Sequence, residues 1–164
     1  KDRSMLFLTL AILGFFTGMI LTLLLFFITL ISFYDILKFL VGFALIGFLI
    51  PLKYYQKWFQ FIKYEMIIFN VIGIAPLLTG LLLLLNSIFS LSTTTTDYQI
   101  EKIFFDEGQF MGVILENNAF SDEYKIVGFP NVNPNSVKYK KALRLTLNKG
   151  LFGFDVIEER ELIY

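Results

Sequence analysis

The longest uncharged stretch of this chain runs from Met5 to Tyr34, thirty residues without Asp, Glu, Lys or Arg. An α-helix rises about 1.5 Å per residue and the hydrocarbon core of a bilayer is about 30 Å thick, so about 20 residues cross it. The stretch is longer than the roughly 7–15-residue apolar region of a cleavable signal peptide, and no small-residue cleavage pattern follows it. Residues 5–34 therefore predict a first membrane span that stays in the mature protein.

Two more apolar runs predict two further membrane spans. Residues 36–52 are interrupted only by Lys38, and residues 66–91 hold no charge. Pro76 lies inside the last run, where its missing N–H and its clash with the carbonyl of Ile72 predict a kink. Thr79 or a neighbouring helix is expected to satisfy the backbone groups that the proline frees. The membrane part is thus expected to hold three transmembrane helices.

The composition excludes most kinds of catalytic site. Hydrophobic residues make up 56% of the chain and charged residues 17%, and neither histidine nor cysteine occurs. Their absence rules out disulfides, thiolate metal sites, Ser–His or Cys–His nucleophiles, and haem ligated by His or Cys of this chain. The sequence also lacks a P-loop and a dinucleotide-binding motif. We therefore expect neither an enzyme nor a cofactor-binding protein.

The zero net charge is the sum of two oppositely charged parts. Residues 1–91 carry six basic and three acidic side chains, whereas residues 92–164 carry eight basic and eleven acidic ones. The change coincides with the polar tract 92–97, and small polar residues between an apolar and a charged block are typical of a linker. The sequence thus predicts a transmembrane region at 1–91, a linker at 92–97 and an exported domain at 98–164.

The C-terminal domain has the pattern of a small antiparallel sheet, with apolar and aromatic segments separated by turn residues. Residues 106–108 and 148–150 fit three-residue hairpin loops that end in Gly, and residues 158–161 fit a short helix or a charged tail. Leu143, Leu145 and Leu147 occupy alternate positions, so they are expected to share one face. The predicted strands are 97–105, 109–116, 124–129, 139–147 and 151–157.

The loop between the second and third spans predicts a segment at the membrane surface, residues 53–64. Tyr and Trp favour the headgroup zone, and lysines there meet anionic lipid. On one helix, Tyr54, Trp58, Phe61 and Ile62 would share a side. Three lysines in a membrane loop do not indicate nucleic-acid binding, so lipid is the expected partner. The interface candidates are Lys53, Tyr54, Lys57, Trp58 and Lys63.

Small and polar residues inside the apolar runs are candidates for helix packing. Small side chains let helix backbones approach closely, and intramembrane asparagines prefer a partner on another helix. Gly14 and Gly18 form a GxxxG pair, and the small residues of the second run are expected to thin one of its sides. The candidates are Gly14, Gly18, Gly42, Ala44, Gly47, Asn70, Gly73, Pro76, Thr79, Gly80 and Asn86.

Asp35 and Lys38 are the charged residues of the hairpin tip between the first two spans. They are three positions apart, so on a helix they can pair. An interfacial ion pair is the expected role of both. The alternative is an ion or proton path through Asp35 and Lys38, because acidic groups inside membranes commonly mark such paths.

The distribution of lysines predicts the orientation. With three crossings, the N-terminus and the basic loop lie on one side and hold five basic residues, against Lys38 alone on the other. The positive-inside rule then puts the N-terminus in the cytoplasm and the C-terminal domain in the periplasm or outside the cell. We expect a multi-pass protein of the bacterial inner membrane.

These features favour a non-catalytic subunit of a multi-protein membrane complex. Its helices would pack on other membrane subunits and its undersized β domain would dock on an exported partner. A transport or energy-coupling component, in which Asp35, Asn70 and the Pro76 kink line an intramembrane ion path, is one alternative. A membrane-anchored exported binding module is the other, although three spans are more than a tether needs.

Overall fold

The chain folds into apolar helices followed by an antiparallel sheet. A computed structural model describes residues 2–106, 109–116, 127–128 and 134–164. They form a helical unit, Lys1–Phe26 with Phe33–Leu85, and a sheet unit, Phe27–Ser32 with Asn86–Tyr164. The predicted combination of apolar helices with a C-terminal antiparallel β domain is confirmed at this level.

The helices are built from Leu, Ile, Phe and small residues, so their backbone groups bond internally, as a lipid environment requires. Two continuous helical stretches, Met5–Phe26 and Lys63–Ile88, are long and apolar enough to cross a membrane. A third span results if α2 and α3, which meet at 81°, count as one bent element. The helices are α1 (Asp2–Phe26), α2 (Phe33–Phe48), α3 (Leu52–Phe59), α4 (Lys63–Ile68), a π-helical turn (Phe69–Ile74), α5 (Ala75–Ile88) and α6 (Pro134–Val137).

Helix α1 is shorter than the predicted first span, 5–34, because it ends at Phe26. The following residues form β-type hydrogen bonds instead: the amide of Leu30 donates to the carbonyl of Asp155 at 2.7 Å, and the amide of Ile157 donates to the carbonyl of Ile28 at 2.7 Å. Thr29 and Val156 form an antiparallel bridge. β-Branched residues favour this extended conformation, so an apolar stretch read as helix contributes to the sheet unit.

The sequence predicted a kink at Pro76. In the structure, a π-helical turn directly before Pro76 accommodates the proline. The amide of Ala75 bonds to the carbonyl of Asn70, five residues back, so the wider turn begins before the proline ring would crowd an α-helical carbonyl. The hydroxyl of Thr79 donates to the carbonyl of Ala75 at 2.8 Å and not to that of Ile72. Thr79 is therefore satisfied locally.

Helices α1 and α5 run parallel along a seam of small residues. A Cβ added to Gly14 would lie 3.3 Å from the carbonyl oxygen of Gly73, and one on Gly80 would lie 2.8 Å from that of Gly18. A Cβ on Gly18 would overlap the backbone of Pro76. The backbones thus meet directly, which is the close approach that small residues allow in lipid.

The sheet has five strands in the order β3-β2-β1-β4-β5, and every neighbouring pair is antiparallel. Leu143, Leu145 and Leu147 of β4 are buried in its core, which confirms that they share a face. Val113 and Val137 are fully buried beside them. The strands are β1 (Ser90–Asp106), β2 (Gln109–Leu115), β3 (Val127–Gly128), β4 (Ala142–Gly150) and β5 (Asp155–Ile163).

Three local predictions differ from the observed sheet because long-range pairing decides these segments. Residues 92–97, predicted as a linker, belong to β1 and pair with residues 144–149 of β4. Residues 148–150, predicted as a hairpin loop, belong to β4, and the turn follows them. Residues 158–161, predicted as a helix or tail, lie in β5. Predicted strand 124–129 and loop 106–108 fall mostly outside the described residues.

Asn86 holds the turn between β4 and β5. Its Nδ2 donates to the carbonyl of Phe154 at 2.9 Å, and its Oδ1 accepts from the amide of Phe152 at 2.9 Å. Gly150 packs against the same amide group, with no room for a Cβ. The sequence predicted a partner on another helix for Asn86, whereas its partners are backbone groups of the hairpin.

Asp97 and Arg144 form a cross-strand ion pair between β1 and β4. The guanidinium donates to both carboxylate oxygens, at 2.8 Å from Nε and 3.0 Å from Nη2. These hydrogen bonds, together with the positive charge of Arg144, lower the pKa of Asp97 below its ordinary value of 3.8. Glu161 of β5 lies 3.8 Å from the same guanidinium, so the pair links three strands on the sheet surface.

We predict that Gly18→Ala lowers the free energy of unfolding by about 1–3 kcal/mol, because the added methyl forces apart backbones that cannot repack. Gly42→Ala is the matched control, since a Cβ there meets no heavy atom within 4 Å. Unfolding of the full chain in mixed detergent micelles measures both effects. Equal losses for the two variants would contradict the α1–α5 seam.

We predict that the Asp97–Arg144 pair loses its effect in acid. A carboxylate with a lowered folded pKa stabilises the fold above its unfolded pKa, and this stabilisation disappears as pH falls through the folded value. The difference in urea midpoint between the native chain and Asp97→Asn should therefore be largest above the ordinary value of 3.8 and vanish only as pH falls through the lower pKa of the folded state. Glu101→Gln, on the same strand, is the control, and a difference that grows in acid would contradict the pairing.

Candidate functional site

Helix α3 presents a basic, aromatic face outward and an aromatic face inward. Lys53, Lys57 and Trp58 are exposed, and the Lys53 ammonium lies 5.2 Å from the ring centroid of Tyr54. Lys63, the first residue of α4, is exposed as well. The outward face therefore has the composition of a membrane interface.

The inner aromatic residues form a cluster that joins α3 to α1 and the π-helical turn. Ring centroids of Phe59 and Phe7 are 4.5 Å apart, and those of Phe61 and Phe69 are 5.2 Å apart. The sequence predicted that Phe61 shares a side with Tyr54 and Trp58. This prediction is wrong, because Phe61 lies beyond the end of α3 and is buried, whereas Tyr54 and Trp58 are exposed. Because Phe7 contacts α3, the N-terminal end of α1 and the basic helix lie at the same end of the helical unit.

Tyr55 and Asn70 form a buried polar pair against the C-terminal end of α2. The Tyr55 hydroxyl lies 2.8 Å from the carbonyl oxygen of Gly47 and 3.1 Å from Oδ1 of Asn70. Asn70 is 1% exposed, and its Nδ2 has no protein partner among the described residues. Tyr55 thus ties α3 to α2 and to the π-helical turn.

A phenol has one proton, so Tyr55 can donate to only one of its two neighbours. The carbonyl of Gly47 is the nearer neighbour, and a carbonyl oxygen can only accept, so the Tyr55 proton is assigned to it. The O and N ends of an amide have nearly the same shape, so the Asn70 amide can be turned over. Its N–H then lies beside Tyr55 and donates to the phenol oxygen. With this assignment both contacts of the Tyr55 hydroxyl are favourable hydrogen bonds.

The small residues of α2 lie on two faces, although the sequence suggested one. Ala44 is buried, and Gly47 packs against the side chain of Asn70, where a Cβ would lie 2.5 Å from Cγ. Gly42 is about 140–160° away from both at about 100° per residue, and a Cβ there meets no heavy atom within 4 Å. Gly42 therefore opens outward.

Two apolar grooves flank the row Leu37, Val41 and Leu45 of α2. One, of about 520 Å³, lies between α2, α1 and the π-helical turn and reaches Phe15 and Pro76. The other, of about 470 Å³, lies on the outward side of α2 and is lined by Tyr34, Leu37, Lys38, Val41, Gly42 and Leu45. Both grooves are open and walled by side chains suited to hydrocarbon.

Asp35 and Lys38 form an ion pair at the first turns of α2, with Nζ 2.7 Å from Oδ1. The Lys38 side chain is 76% exposed. Asn70 contacts the opposite end of α2 at Gly47, about 18 Å from Asp35 along the helix at 1.5 Å per residue. Asp35 and Asn70 therefore do not form one continuous polar path within the described residues.

Comparison with protein-family models, with curated proteins and with solved structures finds no match to this chain. Among the described residues, no group of three or more Asp or Glu side chains could hold a metal ion.

Sequence reasoning missed Tyr55, which stands one position from the interface candidate Tyr54. The spacing of the aromatic residues in α3 could have identified it, because Tyr55 and Phe59 are four residues apart and so face inward together. The lysines and the tryptophan, from which the interface was predicted, lie on the opposite face. Polar side chains of an interfacial helix can face the protein as well as the headgroups.

We predict that Tyr55→Phe lowers the free energy of unfolding by about 1–3 kcal/mol, because it leaves the Gly47 carbonyl and the Asn70 amide without their buried partner. Tyr54→Phe is the matched control, since Tyr54 is 38% exposed. Unfolding in detergent micelles compares the two. A larger loss for Tyr54→Phe would rule out the buried pair.

Proposed function

We propose that this chain is a non-catalytic subunit of a membrane assembly. Its helices would pack on other membrane subunits, and its sheet unit would bind an extended segment of an exported partner protein. The observation that carries the proposal is an unpaired stretch of backbone along β1. Exposed apolar faces on the helices support the membrane half.

Strand β1 is seventeen residues long, and its two ends pair with different strands. Residues 90–99 pair with β4, whereas pairing with β2 begins only at Ile100. Over residues 90–97, every side chain is exposed, and β4 is their only strand partner among the described residues. Within the described residues, the second edge of this stretch is therefore open.

The open edge carries backbone groups of alternate residues. The carbonyl of Gln99 accepts from the amide of Glu116, on the β2 side, and the amide of Ile100 points to Lys141, on the β4 side. Because backbone groups alternate between the two edges, Thr93, Thr95 and Asp97 present theirs at the open edge. Long unprotected edges favour strand addition by a partner chain, and residues 90–96 carry no charge that would oppose it.

The proposed orientation keeps the N-terminus and α3 in the cytoplasm and the sheet unit in the periplasm or outside the cell, with three crossings of a bacterial inner membrane. Lysines of α3 and the contact between Phe7 and Phe59 support one shared cytoplasmic end. The assignment follows the positive-inside rule. A transport role is less well supported, because Asp35 pairs with exposed Lys38 and lies far from Asn70.

We predict that a partner protein co-purifies with the tagged full chain from native membranes, and that it does not co-purify with the Thr95→Pro variant. Proline removes an N–H that points to the open edge, so the β1–β4 ladder keeps its hydrogen bonds while strand addition is blocked. Thr95→Ser, which retains the N–H, is the control. Mass spectrometry identifies the retained subunits.

Two outcomes would contradict this proposal. One is a native chain that carries no other subunit after mild extraction and crosslinking. The other is a set of subunits that is identical for the native chain, Thr95→Pro and Thr95→Ser. Membrane insertion itself is checked separately by resistance to alkaline extraction.

A further inference from the structure

The outward face of α2 is polar at its first turns and apolar along its length. Tyr34 and Lys38 are four residues apart, and Val41, Gly42 and Leu45 continue the same stripe at helical spacing. Together with Leu37 these residues line the outward groove of about 470 Å³. The stripe has the polarity profile of a single lipid molecule, a headgroup region followed by a hydrocarbon region.

Gly42 gives this groove its depth. A Cβ at this position meets no heavy atom within 4 Å, whereas the space beside Gly47 on the same helix is occupied by the side chain of Asn70. The space over Gly42 is therefore not used in packing between the described residues. An occupant from outside the chain can enter it without displacing a side chain.

The neighbours of Gly42 argue against a second helix as the occupant. Close helix approach needs small residues four positions apart, but Lys38 and Ile46 stand at those positions. Ile46 is 59% exposed, so it holds a facing backbone away. A flexible hydrocarbon chain is thin enough to lie between these side chains.

The Asp35–Lys38 pair supplies charges of both signs at the polar end. Nζ of Lys38 lies 2.7 Å from Oδ1 of Asp35, and the lysine side chain is 76% exposed. An ammonium has three N–H donors, so Lys38 can also donate to a phosphate. A headgroup with a phosphate and a primary ammonium matches the pair, phosphate toward Lys38 and ammonium toward Asp35.

The length of the stripe fits one leaflet. From Lys38 to Leu45, the last residue that lines the groove, the helix rises about 10 Å at 1.5 Å per residue, which is within half of a hydrocarbon core of about 30 Å. With Lys38 at headgroup depth, Val41, Gly42 and Leu45 lie beside the acyl chains of the same leaflet. The charges and the groove are then reachable by one molecule.

We propose that this face of α2 is a binding site for one phosphatidylethanolamine molecule, with its headgroup on Asp35 and Lys38 and an acyl chain over Gly42. The proposal rests on the membrane insertion that the proposed function assumes, but not on any partner subunit. Loss of a co-purifying subunit and loss of lipid are therefore separate results.

The test is native mass spectrometry of the detergent-purified full chain, titrated with phosphatidylethanolamine or phosphatidylglycerol. Gly42→Leu fills the groove, and Lys38→Gln removes the phosphate donor. Each is expected to weaken phosphatidylethanolamine retention about tenfold, the effect of one charge-assisted hydrogen bond or of a few displaced methylenes. The controls are Thr17→Leu on exposed α1 surface and Lys53→Gln on α3.

Selective retention of phosphatidylethanolamine by the native chain and by both controls, with loss in both groove variants, supports the site. Equal retention of phosphatidylglycerol would overturn it, because Asp35 would then have no role. Unchanged retention in Gly42→Leu would overturn it as well. A native dimer that Gly42→Leu dissociates would identify a second copy as the occupant and also reject the lipid.

Discussion

The backbone contact between Gly18 and Pro76 sets the geometry of the helical unit. Lipid offers helices no hydrophobic drive to associate, so close van der Waals approach must hold them together. The contact continues through Gly73 and Gly80, which meet Ala11 and Gly18 of α1. This contact makes α1 and α5 parallel, so α2 has to run in the opposite direction. The close approach also requires space at the π-helical turn, where Pro76 interrupts the regular hydrogen bonding of the helix.

The polar groups of the chain tie elements together where packing alone would leave them loose. Tyr55 joins three helical elements through the carbonyl of Gly47 and the amide of Asn70. Asn86 does the same for the hairpin after β4, with both ends of its amide engaged. Each amide contacts a glycine that leaves it space. These polar side chains have structural partners, which is why their presence inside apolar segments does not indicate chemistry.

Apolar length and strand alternation could be predicted from the sequence because both are local. The stripe Leu143, Leu145 and Leu147 follows from strand alternation, and the long helices at each end of the membrane part follow from the length of the uncharged apolar runs. The end of α1 at Phe26 could not be predicted, because it depends on Asp155 and Ile157, more than a hundred residues later. The tract 92–97 reads as a linker by composition and becomes a strand only because β4 pairs with it.

Three glycines of the helical unit, Gly18, Gly42 and Gly47, show why spacing does not identify a site. Gly18 meets a backbone and Gly47 meets a polar side chain, whereas Gly42 faces open space. The residue type is the same at all three positions, and the positions differ only in what packs against them. The two surfaces that we propose as binding sites differ in chemistry: β1 would offer backbone hydrogen bonds to another chain, and α2 would offer hydrocarbon contact with charges at one end. Because β1 belongs to the sheet unit and α2 to the helical unit, a substitution in one proposed site is expected to leave the other intact.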